Sequence, residues 1–135
     1  MKLPAPGHVY EVRSGRYLGF TAEFEMNMIP GWSLIYAVLD RKAGAVSLDC
    51  AGAFVRGGKV NLTFGVAGVT GPQVFRLALF GPGGKELEHC ARNIRTPEGK
   101  GSHELFIPFN AAPGKYEVRL THVASGKLVS RAFEL

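Results

Sequence analysis

The stretch Asn110–Leu135, NAAPGKYEVRLTHVASGKLVSRAFEL, decides how the chain is read. Pro113-Gly114 marks a turn, because proline presets φ and glycine supplies the positive φ that a type II turn needs. Tyr116, Val118 and Leu120 then alternate with Lys115, Glu117, Arg119 and Thr121, the two-residue period of a strand buried on one face. Ala124-Ser125-Gly126 closes a short loop, and Lys127–Leu135 returns as a second strand. The unit is a β-hairpin: it marks a fold and carries no reaction.

The same grammar runs backward through the chain. Val60, Leu62, Phe64 and Val66 alternate cleanly and are expected to face a core. Ala45–Cys50, Lys59–Val66, Val74–Phe80, Glu86–Arg95, His103–Phe109, Lys115–His122 and Lys127–Leu135 give seven short strands. They are punctuated by Gly71-Pro72, Gly81-Pro82-Gly83-Gly84 and Thr96–Gly101. Glu86–Arg95 is the most polar of them and reads as a sheet edge. No segment has the 3.6-residue period of a substantial amphipathic helix, so the fold class is all-β.

Ahead of these lies a segment of different character. Val9–Arg13 and Tyr17–Phe24 read as strands joined at Ser14-Gly15, with alternation continuing to Met28. After Pro30-Gly31 comes Trp32–Leu39, a nearly all-apolar third strand expected to be covered on both faces. Three such strands are too small a unit to stand alone, so they must pack on the rest of the chain, a second copy or another domain. Asp40-Arg41-Lys42-Ala43-Gly44 is the expected boundary, giving a three-stranded N-terminal β segment (1–40) and a seven-stranded domain (41–135).

Charge supports that boundary. The net charge is +5, divided as −1 over residues 1–40 and +6 over the remainder. The basic residues are spread over turns and strand exteriors, which reads as a solvated surface and not a polyanion track. Stacking aromatics interleaved with basic residues on an open sheet are missing, so nucleic acid is not an expected partner. No apolar run is long enough to span a bilayer, and Met1–Gly7 lacks the hydrophobic segment of a signal peptide. Either a cytoplasmic protein or a piece excised from a longer one fits that start.

Catalytic constellations are sparse. His89 beside Cys90 and His103 beside Glu104 would point to opposite faces of a strand, and His122 reads as a half-buried structural histidine. Glu23/Glu25 and Glu86/Glu88 are expected to share solvated strand faces. No metal-ligand spacing occurs, and the Gly81–Gly84 stretch lacks the helix a phosphate cradle uses. No cofactor is expected. Cys50 and Cys90 fall on strands whose geometry disfavours a bridge, so free thiols are expected. Tyr10, Tyr17, Trp32 and Tyr36 are concentrated in the N-terminal segment. They either cover its junction with a neighbour or present an aromatic platform to carbohydrate.

The order of pieces resembles a known arrangement. Val9-Tyr10-Glu11-Val12-Arg13-Ser14-Gly15-Arg16-Tyr17-Leu18-Gly19 is similar to a hairpin that ends the β-sandwich after the catalytic region of large bacterial β-galactosidase-type glycoside hydrolase-like proteins. Pro30-Gly31-Trp32 to Leu39 resembles the strand that commonly follows it. Val74–Lys85, Asn93, Pro108–Tyr116 and Thr121–Gly126 resemble the next domain, an immunoglobulin-like or fibronectin type III-like sandwich, and Tyr116 stands where such folds place a tyrosine corner. The resemblance implies a seven-stranded immunoglobulin-like β-sandwich preceded by the tail of another β-domain. It implies a non-catalytic accessory module, a spacer or packing domain of an exported parent protein, with a carbohydrate-binding module as the alternative. The implied partners are the parent's catalytic or neighbouring domain, a homodimer partner through the N-terminal strands, or carbohydrate, and neither nucleic acid nor membrane. The catalytic carboxylates of such enzymes belong to a separate barrel, so no catalytic residue carries over.

Overall fold

A computed structural model describes all 135 residues. Ten strands run in chain order as β1 (Lys2–Glu11), β2 (Arg16–Glu23), β3 (Tyr36–Leu39), β4 (Val46–Ala51), β5 (Lys59–Val66), β6 (Gln73–Phe80), β7 (Arg92–Thr96), β8 (Lys100–Phe106), β9 (Lys115–His122) and β10 (Leu128–Glu134). Only two single turns of 3-10 helix, Pro82–Gly84 and Glu88–Cys90, interrupt them. The protein is all-β. Every strand pairing is antiparallel, in three sheets ordered β2-β1-β3, β10-β9-β6-β7 and β4-β5-β8.

The second and third sheets face each other across one core. β5 contributes Val60, Leu62, Phe64 and Val66, each in the inward phase of its alternation, and β4 and β8 add Leu48 and Leu105. From the opposite sheet come Phe75, Leu77 and Leu79 of β6 and Tyr116, Val118 and Leu120 of β9. The Phe64 and Phe75 rings meet edge to face at 5.2 Å, joining the layers by the aromatic geometry that favours ring quadrupoles. Tyr116 is buried, and its hydroxyl donates to the Ala112 carbonyl four residues upstream (2.8 Å), which ties the entry turn to β9.

The first sheet packs one face on this core. Tyr10 belongs to the buried cluster, and Tyr17, Ala37 and Leu39 pack against it from β2 and β3. The registers His8↔Leu39, Tyr10↔Ala37 and Tyr10↔Tyr17 put these residues on one side of the sheet.

Four sequence expectations need correction. The N-terminal strand begins at Lys2 and not Val9, with the register slipping between Lys2 and Gly7 to accommodate Pro4 and Pro6. Trp32–Leu39 is a strand only over Tyr36–Leu39 and is not covered on both faces, since Trp32, Ile35 and Val38 are 63%, 50% and 48% exposed. The reason is topological: β3 is the edge strand of a small three-stranded sheet that turns Ala37 and Leu39 to the core and has no sheet layered on its other face. Glu86–Arg95 is not one strand, because the turn Glu88–Cys90 breaks it and only Arg92–Thr96 pairs with β6. His103–Phe109 is shifted to Lys100–Phe106; Gly101 is in the strand opposite Phe64, where a Cβ would lie 2.7 Å from Thr96 Cγ2 and 3.2 Å from the Phe64 ring.

Candidate functional site

Two polar clusters could carry chemistry. The first surrounds His122 at the end of β9. Its Nδ1 lies 2.7 Å from Ser125 Oγ and its Nε2 2.8 Å from Gln73 Oε1, while Gln73 Nε2 donates to the Thr70 carbonyl (3.1 Å). That last bond orients the Gln73 amide with its oxygen toward the ring, so Nε2 carries the imidazole proton and Nδ1 accepts from the serine hydroxyl. The set has the outward form of a nucleophile–base–orienter triad. It does not have the access, for His122 is fully buried, Ser125 and Gln73 are 4% exposed, and none of the five principal cavities is lined by them. Burial, with Lys127 nearby, pulls the imidazole down to about 4. The cluster fixes the β9–β10 turn, and His122 is fully buried where the sequence led us to expect a half-buried ring.

The second cluster lies in a groove of about 270 Å³ between the β7 and β8 edges, lined among others by His89, Cys90, Arg92, His103 and Glu104. Here too the sequence expectation fails. His89 and Cys90 are in a 3-10 turn and not a strand, so the alternation that would separate them does not operate. The arrangement is nonetheless quiet. Glu104 is paired with Lys59 (2.8 Å), one guanidinium nitrogen of Arg92 is spent on the His89 and Ala91 carbonyls, and burial pushes the Cys90 thiol up, away from thiolate character. No three His, Cys, Asp or Glu side chains converge to hold a metal ion. Cys50, on β4, is likewise a free thiol raised by burial. Glu86 and Glu88 do not share a strand face, as Glu86 pairs with Arg76 and Glu88 opens the 3-10 turn.

The four aromatic residues singled out in the sequence divide between the junction and the surface. Tyr10 is 2% exposed and its hydroxyl accepts from the Ala43 N–H (3.0 Å), so it is a junction residue that no ligand can reach. Tyr17 is half-buried against it, with ring centres 4.9 Å apart; its hydroxyl bonds His8 Nδ1 (2.7 Å) and Lys42 Nζ lies 4.8 Å over its ring. Tyr36 is half-buried on the opposite face of the sheet, against Phe24. Trp32 alone is open to solvent, and Arg13 lies 5.9 Å over its ring. Tyr10 and Tyr17 pack together at the junction, Tyr36 lies on the other face and Trp32 is in solvent, so the four rings form no continuous platform.

What it builds is a junction. The turn Val12–Gly15 touches the turn at Gly126 backbone to backbone, and a Cβ on Gly126 would lie 2.7 Å from the Gly15 Cα. Lys127 Nζ reaches 2.7 and 3.2 Å to the Ala43 and Gly44 carbonyls, and Thr70 donates to the Asp40 carboxylate, which that bond holds below its usual range. In the turn itself, Glu11 accepts from the Ser14 hydroxyl and from the Ser14 and Arg13 N–H groups, and the first of these bonds leads in lowering its pKa. Sequence reasoning missed the Lys127 and Gly126 contributions; Lys127 lies more than eighty residues from the linker it holds and Gly126 more than a hundred from the Gly15 turn it touches, and no local pattern signals them.

Beside the junction the N-terminal segment leaves apolar surface open at Phe20, Met28, Ile29, Trp32, Ile35 and Val38. No helix is long and apolar enough to cross a membrane. Compared with protein-family models and with curated proteins, the sequence finds no match.

Proposed function

We propose that the chain is a non-catalytic accessory module. Residues 41–135 act as an immunoglobulin-like, fibronectin type III-like sandwich, and residues 1–40 as the tail of a preceding β-domain locked onto it. The parent, in this reading, is an exported bacterial glycosidase-like protein, and the module spaces or packs against its catalytic or neighbouring domain. The observation that carries the reading is a contrast within the N-terminal segment. Tyr10, Ala37 and Leu39 tie its sheet to the core, while its large apolar residues at Phe20, Ile35 and Val38 stay open, a surface suited to packing and not a pocket suited to turnover. The tyrosine-corner bond from Tyr116 to Ala112 and the four-plus-three strand order support the immunoglobulin-like assignment. Incubation with a panel of aryl glycosides tests it: the purified chain releases no aglycone above the buffer rate. Turnover that co-purifies with the chain and responds to its substitution refutes the reading.

A carbohydrate-binding role has one observation in its favour, the open indole of Trp32. Titration of the single tryptophan's fluorescence with neutral and acidic polysaccharides separates the two, since the packing reading expects no response.

A further inference from the structure

The N-terminal sheet ends in an edge unlike any other in the molecule. Six strands lie at sheet edges: β2, β3, β10, β7, β4 and β8. Five carry charge, with Arg16 and Glu23 on β2, Arg131 and Glu134 on β10, Arg92 and Arg95 on β7, Asp49 on β4, and Lys100 and Glu104 on β8. Such charges are how proteins keep an open edge from pairing with another chain. β3, with the sequence Tyr-Ala-Val-Leu, has no charge, no proline and no bulge, and the uncharged run extends back through Trp32.

Its hydrogen-bonding phase is legible. Val12 N–H donates to the Ile35 carbonyl (2.9 Å), and the register continues Tyr10↔Ala37 and His8↔Leu39. Residues of that phase turn their N–H and C=O groups toward β1; Tyr36 and Val38, in the other phase, turn theirs outward. No strand lies on that side to receive them. Val38 is 48% exposed at this edge, and Ile35, on the other face of the ladder, and Trp32 are open as well.

We propose that a second copy of this chain occupies the edge, the two β3 strands pairing antiparallel about a two-fold axis at Ala37. This deepens the packing role proposed above and rests on it. In that register each Tyr36 faces the partner's Val38 in a hydrogen-bonded pair, so the outward groups of both strands satisfy one another. The first charged residue, Asp40, falls opposite the partner's Leu34, and no like charges meet across the axis. An identical strand is therefore a complementary occupant, and the pairing is isologous and closed, giving a dimer and not a filament. The two three-stranded sheets become one of six strands.

Sedimentation of the full chain from low micromolar to millimolar concentration tests this together with amide exchange. The expected result is a monomer–dimer equilibrium in which the Tyr36 and Val38 amides gain protection in step with the dimer. Val38→Lys, at an exposed position, weakens the dimer by more than about tenfold, because it places a charge on the paired edge. Ala37→Cys, in a chain whose Cys50 and Cys90 are replaced by serine, forms an intermolecular disulfide on oxidation; the residues at the axis form a non-hydrogen-bonded pair with Cα atoms about 4.5 Å apart, within disulfide reach. A chain monomeric throughout overturns the proposal. So does a dimer whose affinity Val38→Lys leaves unchanged, or one whose Tyr36 and Val38 amides exchange freely. If either variant fails to fold, wild-type exchange decides alone. Failure here leaves the non-catalytic reading intact, whereas glycoside turnover refutes that reading and leaves the pairing standing.

Discussion

Acidification is the sharpest probe of this structure, because one buried group responds in a window no other resolved shift occupies. His122 is fully buried and neutral, its two ring nitrogens spent on Ser125 and Gln73, and its pKa falls from an ordinary 6.5 to about 4. Above pH 6.5 the ring is neutral in both folded and unfolded chains and adds no pH dependence. As pH falls below that value the unfolded chain takes up the proton first, so stability is lost by about 1.4 kcal/mol per pH unit until the folded pKa is reached. The gap of about 2.5 units gives a total loss of about 3 kcal/mol, and about 2 kcal/mol by pH 5. For a domain of this size that lowers the melting temperature by about 6–10 °C between pH 7 and pH 5. Glu11 and Asp40 do not mimic the effect: their carboxylates are lowered from 4.5 and 3.8 by bonds from Ser14 and Thr70, and their contribution is lost at more acidic pH. The assay is urea denaturation followed by far-ultraviolet circular dichroism at half-unit steps from pH 5 to 7.5. His122→Gln is less stable at neutral pH but lacks this slope, while the other three histidines, common to both chains, cancel in the comparison. Parallel wild-type and variant profiles refute the buried-neutral account.

Other outcomes follow from the junction and the turns. Tyr10→Phe leaves the Ala43 N–H without its partner in a buried setting and costs about 1–3 kcal/mol, read in the urea midpoint; it also exposes the 40–44 linker to limited proteolysis. Gly126→Ala forces φ of +69° on an alanine and drives its Cβ to 2.7 Å from the Gly15 Cα, costing about 2 kcal/mol or more. The cost shrinks when residues 1–40 are already undocked, so a cycle with Tyr10→Phe is non-additive. Tyr116→Phe loses the bond to the Ala112 carbonyl and about 1 kcal/mol, with an unchanged denaturant slope.

The parts of this architecture legible in the sequence are those whose side chains obey a single rule. Lys59–Val66 and Lys115–His122 are legible to the residue because each has one face in the core, and alternation follows from that. The strands misjudged are those where two demands compete. Lys2–Pro6 hides behind prolines that read as coil, yet a register slip lets the chain stay extended through them. Gly101 reads as a turn residue because a glycine usually is one; here it is chosen for the space that the Phe64 ring occupies. Trp32–Leu39 is as apolar as a doubly covered strand, and nothing local says that its sheet stops there. The site suffered most. Tyr10, Tyr17, Trp32 and Tyr36 stand out in the sequence as a concentration of rings, but whether a ring lies beneath Ala43 or in water is set by contacts across dozens of residues. The His122–Gln73 bond, spanning 49 residues, has no sequence signature at all.

The tie between Lys127 and the Ala43 and Gly44 carbonyls also fixes an order of events during synthesis. The strap and the glycine contact that hold residues 1–40 in place are supplied by residues 126 and 127, which leave the ribosome more than eighty residues after that segment. Until then the N-terminal sheet can form its local hairpin but has no seat, and its uncharged edge remains on offer to any neighbouring nascent chain. Closing the loop from residue 43 to residue 127 is a late and entropically demanding step. Slowing translation between residues 44 and 126 therefore lengthens the interval in which β3 is exposed without its sandwich, and polysome spacing becomes a determinant of how cleanly this protein assembles.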